Sequence, residues 1–153
     1  MKKIITLALA ALMSMTFLTA CGENGGSKIA DMKKKYTDNG YIITTFSKNY
    51  IADIAGLKEG FSATKKAGEW ILHNEIQDVN IDVKILKFSN KTATEEYYNR
   101  TPSGEYWTIF INGLYICHIF MYAGPPEYEG TSKFNKDSEV FKTAEEIFKS
   151  FFK

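Results

Sequence analysis

Arginine, histidine and cysteine are nearly missing from this 153-residue chain, which has one Arg, two His and two Cys. With Arg100 as the sole guanidinium, bidentate recognition of phosphate or carboxylate is confined to one place. Nineteen Lys and Arg stand against eighteen Asp and Glu, a near balance that excludes the basic footprint of a nucleic-acid binder. No phosphate-cradling glycine loop, nucleophile elbow or zinc motif occurs. The segment from Asp78 to Asp82 copies the opening D-x-N-x-D of a calcium loop. Val83 then stands where the sharp turn needs glycine, and Ser89 where the bidentate glutamate belongs, so that site is excluded too. No metal or organic cofactor is expected.

The two histidines offer little more. His73 falls in an alternating strand, and His118 is expected opposite Trp107 in a hairpin. A shared metal would require both to converge with carboxylates, which their spacing does not dictate. They read as a rim residue and a core-edge residue. Cys117 adjoins His118, yet neighbours on one strand point to opposite faces, so the two cannot pair as nucleophile and base. Cys117 reads as a small buried hydrophobe.

What the chain does have begins at its start. Lys2 and Lys3 precede a fifteen-residue apolar stretch, Ile4 to Leu18, interrupted only by Thr6, Ser14 and Thr16. This is the layout of a secretory signal peptide, expected over residues 1–20. A bilayer-spanning helix needs about 20 predominantly apolar residues, and this run ends sooner. Leu18-Thr19-Ala20-Cys21 resembles the lipobox of bacterial lipoproteins. The resemblance implies that a diacylglyceryl group is attached to the Cys21 thiol and that cleavage leaves Cys21 as the first mature residue. Two acyl chains hold a protein stably at a bilayer where one does not. Residues 21–27 would then be the lipidated cysteine and a flexible tether with a reach on the order of 10 to 15 Å. With Cys21 acylated, Cys117 has no partner for a disulfide.

Residues 28–153 are expected to form one α+β domain. Ser27 can cap a helix running to about Asn39, with Ile29, Met32 and Tyr36 on one face and Gly40 as its stop. Tyr41 to Phe46 is rich in β-branched and aromatic residues and reads as a strand, whereas Tyr50 to Leu57 is ambiguous. Phe61 to Lys66 and Glu69 to Ile76 read as two strands joined by a turn at Ala67-Gly68. Val79, Ile81, Val83 and Ile85 alternate with polar residues as a further strand whose polar side, with Asp78, Asn80 and Asp82, faces solvent. Thr92 to Glu95 fits a capping box opening a helix to Arg100. Asn112-Gly113 between two apolar runs predicts a hairpin in which Ile111 faces Leu114, Ile109 faces Ile116 and Trp107 faces His118. Asp137 or Ser138 caps a last helix with Val140, Phe141, Ala144, Ile147, Phe148 and Phe151 at helical spacing. The sum is an antiparallel sheet of five or six strands packed with N- and C-terminal helices and one short internal helix.

This order is similar to that of small lipoproteins of uncharacterised function from Gram-positive gut bacteria. The matching residues are Gly40-Tyr41, Phe88 with Ala93, Tyr97 and Tyr98, and Asn112-Gly113, and no catalytic residues come with them. Aromatic residues are in surplus, with twenty-one Phe, Tyr and Trp following the leader. Tyrosines at Tyr97, Tyr98, Tyr122 and Tyr128 can line a recognition surface, since tyrosine offers apolar area together with a hydroxyl. The expected function is that of a membrane-anchored, extracytoplasmic binding or interaction module of the cell envelope, tied to the membrane through Cys21 and to another envelope protein as partner. The alternatives are a hydrolase using carboxylates with His73 or His118, and an inhibitor or immunity partner of another envelope protein.

Overall fold

The computed structural model describes residues 28–72, 74–104, 106–123 and 137–153. Leu18, Thr19, Ala20 and Cys21, together with His73 and Tyr128, lie outside the described residues. The elements run α1 (Lys28–Asp38), β1 (Ile42–Thr45), α2 (Lys48–Asp53), β2 (Leu57–Leu72), β3 (Glu75–Phe88), α3 (Lys91–Arg100), β4 (Trp107–Asn112), β5 (Tyr115–Ala123) and α4 (Glu139–Lys149), closed by a 3-10 turn at Ser150–Phe152. The five strands form one antiparallel sheet in the order β1-β2-β3-β5-β4. The α+β reading holds, with two short internal helices rather than one.

Alternation decides which face each residue serves. Val79, Ile81, Val83 and Ile85 of β3 turn one way with Phe61 and Ala63 of β2 and Cys117, Ile119 and Met121 of β5, and all are buried. On them lie Ile29, Met32 and Tyr36 of α1 and Phe141, Ala144, Ile147 and Phe148 of α4, the apolar stripes that helical spacing predicts. Fully burying one such large side chain contributes about 1.5–3 kcal/mol, so this layer carries most of the apolar stabilisation. Tyr36 keeps its hydroxyl satisfied by donating to the Ala144 carbonyl at 2.9 Å, which ties α1 to α4. Cys117 is buried and free in this layer. Burial pushes its thiol well above the ordinary range. A smaller cluster on the opposite face joins Leu57, Leu86, Phe88, Ile109 and Ile116, covered by Phe46, Tyr50, Ile51 and Ile54 around α2 and by Ala93, Tyr97 and Tyr98 of α3.

Three local expectations are corrected. Ala67-Gly68 is not a turn, because β2 runs straight through it and pairs Lys66 with Asn80 and Gly68 with Val79. The extra residue, Ala67, makes a β-bulge and packs against the main core. Lys66 bridges Glu69 at 2.8 Å and Asp78 at 2.7 Å beside it. The chain reverses instead between Leu72 and Glu75, where Asn74 takes a φ of 67°. Asn is among the few residues other than Gly that tolerate this region. In the second hairpin Asn112 pairs with Tyr115, so the turn is Gly113-Leu114 with Gly113 at φ 59°. Glycine at the first central position is what such a two-residue turn needs. Ile109 therefore faces His118 and Trp107 faces Phe120, although both faces of the hairpin keep their predicted membership. Finally, α3 begins at Lys91 and its N-cap is Asn90, whose side-chain oxygen accepts from the Ala93 N–H at 2.9 Å. Thr94, interior to the expected box, is buried and bonds back to the Asn90 carbonyl.

Gly60 shows how closely β2 is enclosed. A Cβ there would lie 2.6 Å from the Ile85 carbonyl oxygen and 3.0 Å from two carbons of the Phe46 ring. Gly60→Ala is expected to lower stability by about 1–3 kcal/mol, the usual range for an overpacked core. The measurement is the midpoint of chemical denaturation at unchanged m-value. An unmoved midpoint would refute the close approach.

Candidate functional site

The second face of the sheet is built from the residues that alternate with the core. On β3 these are Asn80, Asp82, Lys84 and Leu86, and on β5 they are Ile116, His118, Phe120 and Tyr122. Helices α2 and α3 cover the Leu86 and Ile116 end of this face. Farther along the strands, Lys84, His118, Phe120 and Trp107, together with Thr101 and Pro102 from the segment after α3, line a depression of about 230 Å³.

Its walls are fixed by hydrogen bonds that the chain makes to itself. Trp107 donates its indole N–H to the Pro102 carbonyl at 3.1 Å, and its own carbonyl accepts from the Gly104 N–H at 3.0 Å. Thr101 donates its hydroxyl to the Tyr97 carbonyl at 3.0 Å and so closes the end of α3. The segment 101–104 is thereby pinned over the Trp107 ring. On β5, His118 and Phe120 have ring centroids 5.4 Å apart, and Phe120 and Tyr122 follow at 6.0 Å. Lys84 places its ammonium 4.9 Å from the Phe120 centroid, a cation–π contact.

The electrostatics follow from this arrangement. Lys84 is the cross-strand partner of His118. Burial of the imidazole, reinforced by the Lys84 charge, pulls its pKa down from 6.5 to about 4, so His118 is neutral at physiological pH. Its Nε2 is buried without a hydrogen-bond partner among the described residues. Asp82, expected on the solvent side, is 8 % exposed. Its carboxylate accepts from the Ser62 hydroxyl and, at 3.1 Å, from the Thr64 hydroxyl, both reaching over from β2. Burial raises the hydroxyl pKa of Tyr50 and of Tyr122, and the Asp82 charge adds to each.

The predicted site residues are distributed as follows. Tyr122 stands on this face, half-buried, one row beyond Phe120. Tyr97 and Tyr98 are half-buried on α3 and packed on the smaller cluster, with the Tyr97 ring 5.3 Å from that of Phe88. Leu86, beneath α3, is six residues from Asn80, the partner of Tyr122, or roughly 20 Å along the strand. Lys84 and Phe120 carry no motif, their one available signal being the alternation of β3 and β5, while Asp82 sits in the excluded calcium-loop segment and Pro102, after α3, has no signal. Cys117 faces the core, opposite to His118, as strand geometry requires.

Among the described residues, no group of three or more His, Cys, Asp or Glu side chains converges as a metal site. No helix among them is long and apolar enough to cross a membrane. Compared with protein-family models, curated proteins and solved structures, the chain finds no match. What the depression offers chemically is flat apolar walls, one cation and a neutral imidazole.

The His118 shift has a consequence for stability. The unfolded chain, with an ordinary histidine near pH 6.5, binds more protons than the folded one between about pH 6.5 and 4. This contribution is complete above pH 6.5 and is lost as pH falls through about 4. Urea titrations of His118→Phe across that window should therefore show a flatter dependence of stability on pH than the parent chain. Equal slopes would mean that His118 is not held neutral by burial.

Proposed function

We propose that the chain is an extracytoplasmic lipoprotein held to the membrane through Cys21 and that its folded domain is a binding module of the cell envelope. The observation that carries the anchor is the ordered sequence of Lys2-Lys3, the apolar run to Leu18 and the Leu18-Thr19-Ala20-Cys21 box. Two acyl chains on one sulfur suffice for stable attachment. The binding reading is supported by the second sheet face, where Trp107 and Phe120 stand beside a lysine in a depression and Tyr122 follows one row beyond. Aromatic rings with a few fixed polar groups are the usual lining of recognition sites. His118, which a hydrolase mechanism would need beside a carboxylate, lies across from Lys84 instead.

The test is mass spectrometry of the protein recovered from membranes of cells fed a labelled fatty acid. The parent chain is expected to begin at Cys21 and to carry the label. Cys21→Ala is expected to accumulate at precursor length without label. A bare thiol at Cys21, or normal processing of the alanine variant, would overturn the anchor.

A further inference from the structure

We propose that the depression between Trp107 and Phe120 binds a small organic anion, a single flat ring bearing a carboxylate, with the ring against the two aromatic side chains and the carboxylate on Lys84. This rests on reading the folded domain as a binding module and is independent of the anchor. Size is the first constraint. At about 230 Å³ the space is smaller than the roughly 300–1,000 Å³ of drug-sized pockets, which matches a one-ring ligand.

The walls supply the second constraint. Indole has a single donor, and that of Trp107 is already given to the Pro102 carbonyl, so Trp107 presents only apolar surface to an occupant. Phe120 and Pro102 add two more apolar surfaces. A flat hydrophobic body is what these surfaces complement.

Charge supplies the third. Lys84 is the sole cation of the six lining residues, and among the described residues it forms no ion pair. The nearest carboxylate along its own strand and face, that of Asp82, is turned to the hydroxyls of Ser62 and Thr64. Lys84 rests instead on the face of Phe120, 4.9 Å from the centroid. The neighbouring His118 adds no charge at neutral pH. The depression thus holds a single cation, an ammonium that lacks an anionic partner among the described residues. A carboxylate placed there gains a charge-assisted hydrogen bond, while a neutral ligand of the same shape gains only the apolar contact.

The experiment uses the full chain in detergent, with phenylacetate, phenylacetamide and acetate as probes. Affinity is measured by calorimetry, and position by NMR shifts of the Trp107 indole N–H and the His118 amide. Phenylacetate should bind saturably and shift both signals. Phenylacetamide and acetate should each bind at least about tenfold more weakly, the ratio expected for losing one charged hydrogen bond or the ring contact. Lys84→Met should weaken phenylacetate about tenfold or more and leave phenylacetamide unchanged, whereas Trp107→Leu should weaken both. Circular dichroism of each variant reports whether it is folded, and comparison of the three probes on the parent chain stands without any variant. No saturable binding of phenylacetate, equal affinity for the amide, or shifts confined to other residues would overturn the proposal. Those failures would leave the lipid-labelling result untouched, and loss of the label would leave ligand binding untouched.

Discussion

The structure depends on one row of side chains, the odd positions of β3 from Val79 to Ile85, each wholly removed from water. β3 lies between β2 and β5, and its buried row is continued on either side by theirs. Because side chains alternate with a period of two, a slip of one residue would bring Asp82 and Lys84 into the α1 and α4 layer and expel four large aliphatic groups. The register is therefore enforced by burial. The same enforcement places Asn80, Asp82 and Lys84 together on the opposite face, so the polar site is the complement of the core row.

The second face then divides according to what covers it. Where α2 and α3 lie over the strands, Leu86, Ile109 and Ile116 close a small apolar cluster. Past the helices the same rows turn polar and aromatic. Two hydroxyls from β2 solvate Asp82 in place of water, which lets a carboxylate sit almost buried without an ion pair among the described residues. Lys84, two residues on, keeps its charge against a π-face. Opposite charges thus share one strand face with their polar partners already divided between them.

Long periodic segments could be read from the sequence alone. The helical stripes of α1 and α4, the alternation of β3 and the composition of both hairpin faces follow from spacing, because burial acts on whole rows. What could not be read was local. Ala67-Gly68 has turn-forming composition, and only the pairing of β2 along its whole length with β3 makes it a bulge. Asn112-Gly113 marks the hairpin, but strand pairing moves the turn one residue on and uses glycine at its first central position. Asn90 displaces the Thr92 box because the cap is set by where the chain leaves β3. For the site, alternation puts His118 and Trp107 on one face, but their direct partners, Ile109 and Phe120, follow from the turn position. Asp82 is withdrawn from water by the Ser62 and Thr64 hydroxyls of β2, which the alternation of β3 alone does not reveal. Lys84 had no distinguishing feature among eighteen lysines.

Cys117 has a further implication. A thiol that is both sealed from solvent and held in its protonated form is a poor nucleophile, since exchange and alkylation proceed through the thiolate. In an oxidising compartment the folded domain would then resist mixed disulfides and covalent dimers without a second cysteine to protect it. Modification of that sulfur would require the sheet to separate from α1 and α4, so its rate of alkylation would act as an internal clock for opening of the main core.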